Sequence, residues 1–318
     1  MKRYSYSELQ QFQNCEREYE YRMEQLLEPV FDGLPKPVGG ALHVGLEHMY
    51  AGDGQAQFIA AAREKYWAEL QSVVDLMTPN ALSASGPEAD TLRKIDGGWK
   101  VVKHLLEEYP WRDIGDILHT EATIVISMGR GREYIGKVDR IMQVNKGVWN
   151  HDTKTSGFQM EPIVKTMRLR HQFAGYHELV RTWLQGKAVV APPVPEALAG
   201  KEPDGTIVDL LFKPRVTYRK KNKEFTGEVS VKGSQFHREP YHIGAGHINE
   251  FYDWFHTLAS RIEAQGRVGP RHKNTGNCFS FNRVCSFFEL CRNPSRSRFI
   301  AADETQFKQK ASKHEYYG

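Results

Sequence analysis

Apolar positions fall at helical spacing at both ends of the chain and in short strand-like runs between them. Ser5 to Gln25 reads as a helix. Leu9, Phe12 and Tyr19 lie near one face with Cys15 close by, and Ser5 with Glu8, or Ser7 with Gln10, can form a capping box. A Pro/Gly-rich break from Pro29 to Gly40 precedes a second helix, expected from about Gly40 through Tyr50. Helical stretches at about 55–77 and 87–109 follow, separated by a polar loop from Thr78 to Gly86. Strands are expected from Glu121 through Ser127, at Tyr134–Val144 and at Gly147–Lys154. A helix near Val164–Gln185 and a loop from Gly186 to Gly205 come next. Strand-like segments at Ile207–Phe212 and Glu224–Ser230 flank a basic run, and an amphipathic helix at His247–Ala264 leads into a cysteine-bearing tail. No segment repeats. The order predicts an α/β core with helical additions at both ends.

The 318 residues are 40% hydrophobic and 26% charged, an ordinary balance for a globular chain of one large domain or two small ones. No apolar run approaches the roughly 18 residues that cross a membrane. The opening Met1–Tyr6 lacks the apolar core of a signal peptide, so the expected location is the cytoplasm, with no membrane partner. A net charge of +4 permits nucleic-acid binding without demanding it. Arg219, Lys220, Lys221 and Lys223 cluster, as do the arginines from Arg292 to Arg298, either as solvated surface or as phosphate contacts.

The chemistry concentrates in one expected hairpin. Gly136–Ile141 carries Asp139, Trp149–Thr155 carries Asp152 and Lys154, and Asn145-Lys146-Gly147 supplies the turn. Residues two apart on a strand share a face, so Asp152 and Lys154 project together. Two carboxylates suit a hard divalent cation, and a neighbouring lysine can orient water or offset charge on a phosphate. The same Asp-x-Lys pattern also arises as a simple ion pair on a solvated face. His43, just after the pair Gly39-Gly40, is a candidate third ligand and shares a helix face with Glu47. The spacing from His43 to Glu47 and His48 misses the zinc-peptidase pattern by one residue. Gln172 and Tyr176 share a face of the helix that follows the hairpin and can reach phosphate oxygens or a base. Gly131-x4-Gly136-Lys137 imitates a phosphate-binding loop, but it lacks the following Ser/Thr and enters a strand, which argues against an ATPase.

All four cysteines fall in two places, Cys15 near the start and Cys278, Cys285 and Cys291 near the end. In a cytosolic protein such a cluster reads as a metal or redox site, either one zinc or one iron–sulfur cluster.

Taken in order, these segments resemble the RecB-like branch of the PD-(D/E)XK nucleases, and within it the iron–sulfur members such as the AddB nuclease module, the CRISPR-associated adaptation exonucleases and phage relatives. The resemblance runs through Tyr6-Ser7-x-Leu9-x-x-Phe12-x-x-Cys15-x-x-x-Tyr19, Gly40-Ala41-Leu42-His43-x-x-Leu46-Glu47 and Gly136-x-x-Asp139-x-Ile141. It continues through Asp152-x-Lys154-Thr155, Gln172-x-x-x-Tyr176 and the late cysteines. Two features depart from that pattern: Glu16 replaces the proline that usually follows the first cysteine, and six residues separate Cys278 from Cys285.

The resemblance implies a restriction-endonuclease-like α/β fold, a mixed central sheet flanked by helices, in a single domain over 1–318. Within it, 50–112 would be a helical insertion, 115–185 the catalytic core, and 1–30 with 270–298 an iron–sulfur staple. The implied activity is that of a metal-dependent DNA exonuclease in recombination, repair or phage DNA processing, acting in a bacterial or phage-infected cell. His43, Asp139, Asp152 and the Thr153 carbonyl would hold Mg²⁺ or Mn²⁺, with Lys154 at the water or phosphate and Gln172 and Tyr176 on the DNA. Glu121 and Glu47 would support these ligands from outside. Cys15, Cys278, Cys285 and Cys291 would hold a 4Fe–4S cluster, with zinc as the alternative occupant. DNA and a helicase or recombination protein would be the partners. The competing expectation is a non-catalytic DNA-binding or assembly subunit that keeps the fold and the cysteines.

Overall fold

The computed structural model describes residues 1–29, 34–75, 87–110, 115–157, 160–167, 169–221, 224–233, 235–265, 271–280, 283–293 and 307–310. The N-terminal part runs β1 (Lys2–Ser5), α1 (Tyr6–Asn14), α2 (Glu16–Tyr19), a π-helical turn at Glu20–Glu24 and β2 (Leu27–Pro29). Three longer helices follow: α3 (Pro35–Tyr50), α4 (Gln55–Val74) and α5 (Pro87–Glu108). The centre comprises β3 (Asp116–Gly129), β4 (Arg132–Val144), β5 (Gly147–Ser156), α6 (Met160–Met167), α7 (His171–Leu184) and β6 (Pro203–Phe212). Then come β7 (Arg215–Lys221), β8 (Glu224–Lys232), β9 (Gln235–His242) and α8 (Ala245–Gln265). The tail holds β10 (Phe279–Ser280), β11 (Arg283–Val284), α9 (Phe288–Arg292) and β12 (Phe307–Gln309).

Several expectations are corrected. Ser5 does cap α1, its hydroxyl accepting the Glu8 N–H at 3.2 Å, but the predicted long helix breaks at Cys15, which is extended at φ −159°. The Asn14 carbonyl accepts instead from the side-chain amides of Asn274 and Asn277, at 2.8 and 2.6 Å, which removes the need for a helical partner. The second helix starts at Pro35, because proline suits a first-turn position whose N–H is unpaired anyway. The helix expected at 164–185 is two, α6 and α7. The basic run is part of a strand, β7, in a separate β7–β8 pair, and β9 was not anticipated. The loop expected at Thr78–Gly86 lies outside the described residues, as do Lys223 and the tail arginines beyond Arg292.

The main sheet is mixed, and β4 is its hub. β3 pairs antiparallel along one edge of β4 from end to end. The other edge is shared: β1 runs parallel to Arg132–Ile135, and β5 runs antiparallel to Arg140–Val144. Between them, Gly136 to Asp139 have no strand partner on that edge among the described residues. Past His151, β5 leaves β4 and pairs only with parallel β6, then β9 closes the sheet. The two hairpin strands therefore fork where their carboxylates stand.

One face of the sheet, with Met142 and Leu211, packs on α3, α4 and α5 around Leu42, Leu46, Tyr66, Val102 and Leu105. The opposite core joins Tyr134, Val138 and Ile124 to Leu179 and Trp183 of α7, Phe251 and Phe255 of α8, and Leu9 and Phe12 of α1. α7 lies close against β4 because both surfaces present glycine. A Cβ on Gly136 would meet Leu179 Cδ1 at 2.4 Å, and one on Gly175 would meet the Tyr134 hydroxyl at 2.5 Å and Phe251 at 3.0 Å. That approach carries Gln172 and Tyr176 over the fork. Gly175→Val should cost about 1–3 kcal/mol through overpacking, read as a lower urea midpoint; an unchanged midpoint would contradict the close seating of α7.

Candidate active site

The fork gathers the acidic residues. The pairs Thr120↔Arg140 and Ala122↔Val138 set Glu121 across from Asp139, and the last β4–β5 pair, Arg140↔His151, sets Asp152 on Asp139's other side. Three carboxylates thus form a row across three strands. Glu121 departs from strand geometry at φ +50°, an uncommon conformation for a residue with a side chain. Asp139 Oδ2 accepts the Thr153 N–H at 2.9 Å, so a side chain takes over where the backbone ladder stops. α3 delivers His43, whose Nδ1 lies 3.4 Å from Asp139 Oδ2 and 3.8 Å from Glu121 Oε1. Lys137, two residues before Asp139, reaches Glu121 Oε2 at 3.0 Å.

Lys154 Nζ sits 2.8 Å from Asp152 Oδ1, while Asp152 Oδ2 is buried without a hydrogen-bond partner. Burial alone would lower the lysine pKa, but Asp152 and Asp139 outweigh it and hold Lys154 above its ordinary value, cationic at neutral pH. Burial, then the neighbouring Asp139 charge, pushes Asp152 up, and the same two causes raise Glu121. Asp139 ends below its usual value, since His43, Lys154 and Arg140 together overcome its burial. The neighbouring carboxylates are thus shifted in opposite directions, Asp139 down and Asp152 and Glu121 up, as expected of like charges gathered in a buried place. Ligand atoms of His43, Glu121 and Asp139 all lie within 4.8 Å of one another. With the orphaned Asp152 oxygen beside them, this donor set fits a hard divalent cation.

Behind the fork, a closed ring of buried side chains and the half-buried Tyr50 holds the strands. Arg140 Nε donates to His151 Nδ1 at 2.7 Å, and its Nη2 donates to Thr153 Oγ1. His151 Nε2 lies 3.0 Å from Asp209 Oδ2, which also accepts from the Tyr109 hydroxyl. The Tyr50 hydroxyl donates to Tyr109 at 3.2 Å, and the Arg140 guanidinium covers the Tyr50 ring at 4.4 Å, closing the circuit. Arg238 adds two bonds to Asp209, at 2.7 and 2.9 Å. Burial, then Arg140, pushes His151 down to about 4, so it is neutral at pH 7. Asp209 stays far below the carboxylate range despite its burial because His151, Arg238 and Tyr109 surround it.

The structure brings His43, Asp139, Asp152, Lys154 and Thr153 to one place, and it moves Glu121 from an expected supporting position into direct contact with His43. Thr153 contributes its N–H to Asp139 and its hydroxyl to Arg140. Gln172 Nε2 donates to the Tyr176 hydroxyl at 3.0 Å, and Tyr176 feels both aspartates, its pKa raised by burial and then by Asp152 and Asp139. Glu47 has no hydrogen bond or ion pair to the site among the described residues. The ring itself escapes sequence reading. Its one signal was that Arg140 and His151 flank the aspartates on strands that had to be buried, where a charged group needs partners.

All four cysteines are free thiols, and Cys15 and Cys291 both lie close enough to Cys285 to act on its charge. Asn274 and Asn277 tether the Cys278 segment beside Cys15, and the Cys285 N–H donates to the Cys278 carbonyl at 2.9 Å. Cys285 and Cys291 pack with Tyr21, Leu27, Phe287, Leu290 and Phe307. Burial pushes Cys285 up to about 12, with Cys291 and Cys15 adding to the shift. Among the described residues no three sulfurs lie within 4.8 Å of one another, so the thiols converge without the spacing of ligands around a single ion.

A family model described as the PD-(D/E)XK nuclease superfamily matches residues 3–292. No curated protein matches the chain by sequence. Among solved structures, a candidate exonuclease from Eubacterium rectale is 12% identical, with 88% of each chain covered and a TM-score of 0.46. No described helix is long and apolar enough to cross a membrane.

His151 and His177 both titrate below the ordinary 6.5 because of burial. The unfolded chain therefore takes up protons first as pH falls, so stability present above pH 6.5 is lost toward pH 4. His151 alone accounts for up to about 3 kcal/mol. Asp152 and Glu121, raised by burial, act in the opposite sense near the acid end. Urea unfolding at pH 7.5 and 4.5 should show a smaller loss for His151→Gln than for the parent; equal losses would contradict the neutral buried histidine.

Proposed function

This chain belongs to the PD-(D/E)XK nuclease superfamily, and we propose that it hydrolyses DNA phosphodiesters with a divalent cation held in the β4–β5 fork. The observation that carries this reading is the convergence of His43, Glu121 and Asp139 within 4.8 Å, beside an Asp152–Lys154 pair at 2.8 Å. His43, Asp139 and Asp152 would hold Mg²⁺ or Mn²⁺ with the Thr153 carbonyl, and Glu121 adds a further carboxylate. A bound cation supplies Lewis acidity toward the scissile phosphate and a lowered pKa for the attacking water. Lys154, kept cationic by the two aspartates, orients that water or offsets charge on the phosphate. The Lys137–Glu121 pair steadies the strained Glu121 backbone. Gln172 and Tyr176, bonded to each other over the fork, steady the DNA.

The exonuclease role in recombination, repair or phage DNA processing, with a helicase or recombination partner, rests on the shared motif order with the iron–sulfur members. The iron–sulfur reading of Cys15, Cys278, Cys285 and Cys291 rests on four free thiols, with the Cys278 segment tethered beside Cys15 and with Cys15 and Cys291 both acting on Cys285. A donor set of thiols alone suits such a cluster, with zinc as its rival. The cluster would join the first helix to the tail and stabilise the fold, without a part in hydrolysis.

Asp152→Ala should lower cleavage of end-labelled DNA in Mn²⁺ or Mg²⁺ by about 1,000-fold or more, with its melting temperature retained. Full activity in that variant would remove the fork from the reaction. No cleavage by the intact parent on any substrate would favour a DNA-binding subunit. Protein purified without oxygen should contain iron and acid-labile sulfide that Cys285→Ala loses, with cleavage chemistry unaffected per folded molecule; zinc without sulfide would decide for the rival.

A further inference from the structure

Next to the fork lies a group of aromatic side chains that the hydrolytic chemistry leaves unused. Tyr6 opens α1 where β1 ends, and Lys154 and Arg170 both lie close enough to pull its pKa down against the upward effect of burial. Its ring packs against Trp254 of α8 at 5.5 Å and 34°. Trp254 in turn stacks on His171, the first residue of α7, at 5.0 Å and 24°. The rings behind them meet edge to face, Tyr134 with Phe255 at 87° and Tyr4 with Phe255 at 80°. Three elements thus each contribute one ring to a contiguous series, one pair stacked and one tilted, that starts near Lys154, and none of the three rings is fully buried.

Two cations lie near the series, with Glu250 as the acidic group that acts on His171. Arg170, the residue before α7, is exposed, and α7 has no acidic residue in its first turn. Lys154 closes the inner end. His171 itself is held below its ordinary pKa by burial, partly countered by Glu250, and so offers a neutral ring at pH 7. Flat rings in series beside two cations complement a base whose flanking phosphates are anionic.

We propose that Tyr6, Trp254 and His171, with Arg170 beside them, form a stacking subsite for an unpaired nucleobase of the strand being cut. The proposal rests on the nuclease reading. A base seated on these rings brings its flanking phosphates toward the two cations, Lys154 and Arg170. The subsite holds the strand by a π-face that every base possesses, so it selects unpaired nucleotides without selecting sequence.

Single-stranded oligonucleotides carrying one 2-aminopurine, moved position by position from the end, test this with Asp152→Asn protein. One position should be quenched on binding, and the quench should be lost in Trp254→Ala and in His171→Ala. With the active parent, an abasic nucleotide at the quenched position leaves the protein untouched and should raise KM about 5- to 100-fold with kcat little changed. Uniform fluorescence along the strand, or an abasic site without effect while the parent still cuts DNA, would overturn the subsite. Cleavage of thymidine 5′-p-nitrophenyl phosphate by the parent reports the hydrolytic centre separately, so failure of the subsite and failure of the nuclease reading are told apart.

Discussion

The buried guanidinium of Arg140 is the constraint on which the centre of this protein depends. Taking such a charge out of water costs several kcal/mol unless every donor finds a partner. Here the partners are His151 and Thr153, the residues on either side of Asp152, and Arg140 itself follows Asp139. One side chain therefore fixes both hairpin strands at the point where their backbone pairing stops. Asp209, Tyr109 and Tyr50 extend the hold to β6, the residue after α5, and α3. Because α3 carries both Tyr50 and His43, the contact that seats the helix on Arg140 also sets the imidazole over the carboxylates.

The fork follows from how β4 is shared. A strand has two edges, and β3 takes one completely, so β1 and β5 must divide the other. The short unpaired stretch left between them would expose backbone groups in a continuous sheet. Asp139 answers part of that need by accepting the Thr153 N–H. α7 can cover the fork closely only because Gly136 and Gly175 lack side chains.

Much of this was legible in the residues. The hairpin, its Asp139 and the Asp152–Lys154 pair follow from strand alternation, and His43 from a lone histidine after paired glycines. The helix break at Cys15 was not legible, because its cause lies in Asn274 and Asn277, far along the chain. β9 escaped because Gln235–His242 is a half-exposed edge strand rich in polar residues, where period and propensity give little signal. Glu121 looked peripheral since its place depends on a left-handed backbone in a run otherwise rich in β-branched residues. Glu47, one turn beyond His43, promised a contact that is absent among the described residues.

The central claim is that the fork is a divalent-cation site that acts on DNA. Crystals soaked in Mn²⁺ and measured at the manganese absorption edge test it most directly. The account predicts an anomalous peak bounded by His43, Asp139 and Asp152, with Glu121 adjoining, and its loss in Asp139→Asn. Manganese bound only elsewhere, or none at the fork at millimolar concentration, would contradict it.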